Sequence, residues 1–145
     1  MSVDAQHLSE QSVAALYEPD RASQSLGITI VSIAPGAVSV AMTVRDSMLN
    51  GFGICHGGFL FTLADSAFAF SCNSAGETTV AASGQIEFLE AARLGDSLVA
   101  SGRRLWERGR QGIYTVDITR GDGALVALFR GRSHKIGKTQ PAGGE

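Results

Sequence analysis

The chain has 145 residues, enough for one domain and too few for two with adequate cores. Hydrophobic residues make up 44% and charged residues 18%, too apolar for a disordered segment, and no stretch reaches the ~18 uninterrupted apolar residues of a membrane span. Net charge is −2, but nine of the twelve Lys and Arg lie beyond residue 100, a local basic bias that suits a phosphorylated small molecule and falls short of a nucleic-acid surface.

Asp4 and Glu10 stand where a secretory signal would carry basic residues and an apolar block, so a cytoplasmic location is expected. Cys55 and Cys72 form no CxxC pair, which speaks for reduced thiols over a disulfide framework or a zinc site, and no metal is expected.

In chain order, Val13, Leu16 and Tyr17 predict a short amphipathic helix over Ser9–Tyr17, ended by Pro19. The β-branched run Leu26–Ile33, the turn Ala34-Pro35-Gly36 and the alternation of Val38, Val40, Met42 and Val44 predict a hairpin. Asp46–Cys55 reads as a loop. Phe59–Asn73 is apolar on nearly every face and predicts a helix buried on most sides. Four strands are expected after it: Thr79–Leu89, Ser97–Trp106, Gly112–Arg120 and Ala124–Ser133. The expected unit is a single α+β domain over residues 1–136 with a flexible tail at 137–145. One helix cannot cover both faces of a six-stranded antiparallel sheet. The sheet should therefore curl round Phe59–Asn73 and leave a face or edge for a second copy.

Asp65 is the one charged side chain between His56 and Glu77, in the most apolar segment of the chain. A carboxylate there needs a partner, a solvated cleft or a raised pKa, and either a catalytic role or an ion pair at a dimer seam satisfies that. Just ahead lies Asn50-Gly51-Phe52-Gly53-Ile54-Cys55-His56-Gly57-Gly58. The first N–H groups of a helix lack internal acceptors, so Gly57 and Gly58 offer bare donors to a carbonyl gathering negative charge. His56 either caps the helix or polarises the same carbonyl.

Met48-Leu49-Asn50-Gly51, Cys55-His56-Gly57-Gly58, Leu63-Ala64-Asp65, Ile86-Glu87-Phe88-Leu89 and Ala127 through His134 together resemble the phenylacetate-degradation (PaaI-type) hotdog thioesterases, over nearly the whole chain. The resemblance implies a curved sheet wrapped round one long helix, homodimers pairing into homotetramers, and an acyl-CoA thioester bound between subunits with no separate cofactor. It assigns Asp65 as the catalytic carboxylate, facing the other chain's Gly57 as backbone oxyanion donor, with His56 and Asn50 around the thioester. Aryl-acetyl thioesters of the phenylacetyl-CoA or hydroxyphenylacetyl-CoA type are the implied substrates. Gly58, Phe59, Ser83 and Gly84 are the expected walls of the ligand groove, and Arg130, Arg132 and Lys135 the expected partners of the CoA phosphates. Two departures, Glu90-Ala91 after Leu89 and Phe59 after the glycine pair, point to an altered mouth or acyl pocket.

Two other functions compete. A hotdog dehydratase or hydratase should carry a histidine five residues after the aspartate, where this chain has Phe70. A non-catalytic acyl-CoA-binding protein would keep the pocket and release no thiol. Gly131–Thr139 lacks both the spacing and the following helix of a phosphate loop.

Overall fold

The segment Gly57–Cys72 forms the 16-residue helix α3, and burying it on nearly all sides dictates the rest of the architecture. The computed structural model describes residues 3–137. Two further helices precede α3, namely α1 (Val3–Tyr17) and α2 (Arg21–Ser25), followed by strands β1 (Thr29–Ala34) and β2 (Ala37–Thr43). After α3 come β3 (Thr79–Phe88), β4 (Ser97–Arg108), β5 (Gln111–Arg120) and β6 (Leu125–Lys135). The strands make one antiparallel sheet in the order β1-β2-β4-β5-β6-β3, so β1 and β3 are its edges.

Period-two alternation decides which side chains meet α3. Val38, Val40 and Met42 of β2, Leu98 and Ala100 of β4, and Tyr114, Val116 and Ile118 of β5 are buried, and they form one core with Leu60, Leu63, Ala67 and Phe68 of α3. Gly102 continues the inner row of β4, where the helix comes closest. A Cβ there would lie 2.5 Å from Ser71 Oγ, 3.1 Å from the Ala67 carbonyl oxygen and 3.2 Å from that of Val38. The lower end of α3 is bound by polar groups. Ser71 Oγ accepts the Val38 N–H at 3.0 Å, Ser74 Oγ accepts the Gly36 N–H at 2.7 Å, and the Asn73 amide bonds both the N–H and the carbonyl of Thr79 at 2.9 Å.

This is the expected α+β hotdog architecture, with shifts at several ends. Helix α3 starts at Gly57, two residues before the expected position, because His56 is extended (φ −63°, ψ 136°) and its Nδ1 accepts the Gly58 N–H at 2.9 Å, a side-chain N-cap. Helix α1 starts at Val3, ahead of Ser9; His7 and Leu8 are exposed, so its first half carries no apolar stripe to read. Strand β1 begins at Thr29, not Leu26, because helix α2 (Arg21–Ser25), capped by Asp20, ends with Leu26 as its C-cap and Gly27 in the left-handed region (φ 70°). A turn of 3-10 helix, Asp46–Met48, opens the expected loop. Of the expected tail, residues 138–145 lie outside the described residues. Among the described residues no helix is long and apolar enough to cross a membrane.

Since two of the atoms nearest a Cβ at Gly102 are backbone, Gly102→Ala should destabilise the fold by ~2 kcal/mol through overpacking. Urea unfolding would show this as a lower midpoint, and an unchanged midpoint would contradict the close approach of β4 and α3.

Candidate active site

The loop leading into α3 builds a cleft from its own backbone. Asn50 Oδ1 accepts the N–H groups of Phe52 at 2.9 Å and Ile54 at 3.3 Å, and the Asn50 N–H donates to the Ile54 carbonyl at 2.8 Å, closing a tight turn. The chain then returns past Leu49, which bridges to Cys55, and enters the helix at Gly57. With its oxygen committed to the turn, Asn50 has its Nδ2 left as donor. Gly57 contributes an N–H that, at the first helical position, has no intrahelical acceptor. Asn50 and Gly57 line one cleft of about 390 Å³, with Leu60, Phe88, Leu89 and Glu90 among its other walls. Donors at the positive end of a helix dipole suit an oxygen gaining negative charge.

Glycine at 57 also leaves room for a neighbouring ring. A Cβ there would sit 2.8 Å from Cζ of Phe88, whose ring lies across the glycine and is itself 56% exposed. The Gly58 N–H, expected as a second bare donor, is instead occupied by His56 Nδ1. The His56 ring is exposed and meets Phe59 edge-on at 6.1 Å, while Phe59 packs partly against the core. With Nδ1 accepting, the neutral ring carries its proton on Nε2.

Asp65 lies eight residues further along the same helix, ~12 Å along the axis from Gly57. It shares with Phe61, Thr62 and Ala69 the one stripe of α3 that the sheet leaves incompletely covered. Its carboxyl is pushed above the usual carboxylate range, first by burial and then by the negative charge of Asp20. Among the described residues it has no hydrogen bond or salt bridge. Burial also raises the thiols, Cys55 to about 11 and Cys72 to about 12, so neither is a ready nucleophile.

A second recess, about 290 Å³, gathers Ser83 and Gly84 of β3 with Arg130 and Arg132 of β6. Ser83 pairs with Arg132 and Gly84 with Gly131. Glycine at 84 admits the ring of Phe129, which a Cβ would meet at 3.0 Å, and Phe129 in turn packs edge-on against Phe61 of α3 at 5.4 Å. Arg130 and Arg132 alternate with these inward residues and so project from the opposite face of the sheet. Arg132 donates to Gln111 Oε1 at 2.8 Å, and Arg130 is exposed. Lys135, expected beside them, corrects that grouping: its ammonium is already paired with Glu77 at 3.3 Å and Glu107 at 3.4 Å, which neutralise it locally.

Within one protomer, then, the nominated residues are dispersed: Asn50 and Gly57 in the cleft, His56, Gly58 and Phe59 at the helix start, Asp65 on the stripe, Ser83, Gly84, Arg130 and Arg132 in the recess, and Lys135 in its ion pairs. Sequence reasoning missed Phe88, Asp20 and Arg120. Arg120 donates to the Ala91 carbonyl at 2.6 Å and pairs with Glu90 at 3.5 Å, holding the segment that walls the cleft. A signal existed only for Asp20, whose spacing to Ser23 is that of an N-cap. Among the described residues no three His, Cys, Asp or Glu side chains gather into a metal-binding group.

Residues 52–127 match the family model of the thioesterase superfamily. The acyl-coenzyme A thioesterase PaaI of Escherichia coli is 44% identical over 133 residues, 92% of this chain and 95% of that protein. Its solved structure, described as the PaaI protein from the phenylacetic acid degradation operon, superposes with a TM-score of 0.91 over 93% of this chain and 98% of the other. Human acyl-coenzyme A thioesterase 13 is 34% identical over 74% of this chain and 79% of its own. A Streptococcus mutans protein solved bound to acetyl CoA is 30% identical, with a TM-score of 0.75 over 78% of this chain and 91% of that one. A family match across the helix and most of the sheet, with close identity over nearly the full length, places the chain in the thioesterase superfamily as a hotdog thioesterase of the PaaI type.

Proposed function

We propose that this thioesterase hydrolyses acyl-CoA, with aryl-acetyl-CoA of the phenylacetyl or hydroxyphenylacetyl type as substrate, giving the free acid and CoA. The observation that carries the reading is the spacing on α3. One helix presents an unpaired N–H at its start and an unpaired, basicity-enhanced carboxyl two turns later. At ~12 Å these groups cannot both reach one thioester carbon, for which each must come within ~3 Å. Two copies related by a two-fold axis solve this, each lending Asp65 to the Gly57 of the partner subunit. The free edge β3 and the uncovered stripe of α3 lie where a second copy would join, and pairing of such dimers gives the homotetramer.

In that assembly the carbonyl oxygen accepts the Gly57 N–H, with Asn50 Nδ2 and the Nε2–H of His56 nearby to orient the thioester. Asp65 takes the proton of a water that attacks the acyl carbon, or attacks the carbon itself to give a mixed anhydride that water opens. In either route the C–S bond breaks and CoA leaves as a thiolate that is then protonated. Under single turnover in heavy-oxygen water, label in the Asp65 carboxylate identifies direct attack. The cleft walled by Leu60, Phe88 and Leu89 receives the acyl group, and the recess of Ser83, Gly84, Arg130 and Arg132 receives the CoA arm, with the guanidinium groups toward its phosphates. Two free thiols, both buried, suit the reducing cytoplasm.

Thiol release from a panel of acyl-CoA compounds tests the reading. Turnover should be highest with aryl-acetyl thioesters, and binding without release would instead indicate an acyl-CoA-binding protein. Asp65→Asn should fold and lose activity by at least ~10²-fold. The same variant bears on stability. Because the folded protein raises the Asp65 carboxyl, ionisation disfavours the native state at neutral pH, and the cost disappears once the group is protonated in both states. Asp65→Asn should therefore melt higher than wild type at pH 7, with the gap closing below the ordinary carboxylate range. Gly57→Pro removes the donor at a position where helices accept proline and after a residue already extended; the half-exposed Phe88 ring must swing aside for the added ring, so the fold should survive while kcat falls by at least ~10²-fold.

A further inference from the structure

A second carboxylate is held close to the same helix. Asp20 caps α2, its Oδ1 accepting the Ser23 N–H at 2.9 Å and its Oδ2 the Ser23 hydroxyl at 2.7 Å. The Ser23 hydroxyl lies 2.8 Å from that of Ser66, the residue after Asp65, and both serines are buried, at 1% and 8% exposure. With Ser23 donating to Asp20, Ser66 must donate to Ser23, so the chain of bonds runs one way, from α3 to the carboxylate. The preceding segment is fixed as well. Tyr17 donates its hydroxyl to the Ile28 carbonyl at 2.6 Å and sets its ring edge-on to Phe70 of α3 at 6.1 Å.

Every donor to Asp20 is neutral, and among the described residues it has no salt bridge, so its charge is held in place and left uncancelled. The buried hydroxyl pair is fully hydrogen-bonded and ties the half-buried carboxylate to the residue next to Asp65. We propose that Asp20, clamped through Ser23 to Ser66, is a positioning residue whose fixed negative charge tunes Asp65 as the proton acceptor. The proposal rests on Asp65 being the reacting carboxylate.

The surroundings of Asp65 support this. Burial is the larger influence on its carboxyl and Asp20 the second, both in the direction that makes the carboxylate a stronger base. Cys72, on α3 itself, is the other titratable group coupled to it, and Cys72 stays a neutral thiol. From the sheet beneath, Tyr114 of β5 reaches the same region and couples to Cys72, and burial keeps it neutral as well. Among the described residues Asp20 is the charged side chain that shifts Asp65, and no cation opposes it, so replacing Asp20 removes that influence.

The test is the pH dependence of kcat/KM with an aryl-acetyl-CoA at low ionic strength. Asp20→Asn keeps an oxygen to cap Ser23 and deletes the charge; its acid limb should move to lower pH by ~0.5–1 unit, with KM unchanged. Asp20→Glu, which keeps the charge, should restore the limb toward wild type. A limb for Asp20→Asn that superposes on wild type overturns the proposal, whatever the melting temperature does, because loss of a purely structural cap moves stability and leaves the limb alone. Should Asp20→Asn fail to fold, Asp20→Ser supplies a hydroxyl cap for the same measurement. Turnover retained in Asp65→Asn would sink the catalytic reading itself, whereas an inactive Asp65→Asn beside an unmoved Asp20→Asn limb would sink only the role of Asp20.

Discussion

An ionisable carboxyl on a helix that is otherwise apolar is the constraint around which this molecule is arranged. Among the described residues nothing pairs with Asp65, and the pocket that could use a base lies two turns away at the beginning of the same helix. The sheet covers α3 from beneath, α1 and α2 cover part of its back, and one stripe is left open. A carboxylate placed there carries a desolvation cost that only a partner group or a solvated cleft offsets. The same desolvation strengthens it as a base, which ties the instability of the site to its chemistry.

The helix start is economical in a different way. Its first N–H is free, its second is capped by His56, and a glycine at the first position lets both a ligand and the Phe88 ring approach the backbone. The cap therefore selects which donor remains for the carbonyl. Phe88 and the Arg120-bound segment at Glu90 and Ala91 wall the cleft. On the proposed reading, β3 and its exit shape the acyl pocket, while the reacting groups belong to α3 and the loop before it.

Much of this was legible in the residues. The buried helix declared itself through its composition, the hairpin through Pro35-Gly36, and three later strands through their glycine-rich turns, because those signals are local. The pairing of β3 with β6 across an intervening hairpin was not legible, since edge position is a property of the whole sheet. Helix α2 fell in the stretch between the first expected helix and the first expected strand, to which no element was assigned, because its five residues carry no periodicity, only a cap. Asn50, Gly57 and Asp65 were nominated from the family resemblance, which also implied that Asp65 serves the other chain's Gly57; the helix geometry adds the ~12 Å that separates the two within one chain. Lys135 looked free in the sequence because the carboxylates that neutralise it, Glu77 and Glu107, come from distant strands and loops.

The composite site is tested most directly by subunit complementation. Asp65→Asn and Gly57→Pro protomers, each inactive alone, are unfolded together, refolded and assayed. Random pairing makes half of the dimers hybrid, and each hybrid holds one intact site of two, so mixing should restore roughly a quarter of the wild-type rate. A mixture as inactive as its parents, with hybrids shown to form by native mass spectrometry, would mean that carboxyl and amide serve the same substrate from one chain, and the account would fail.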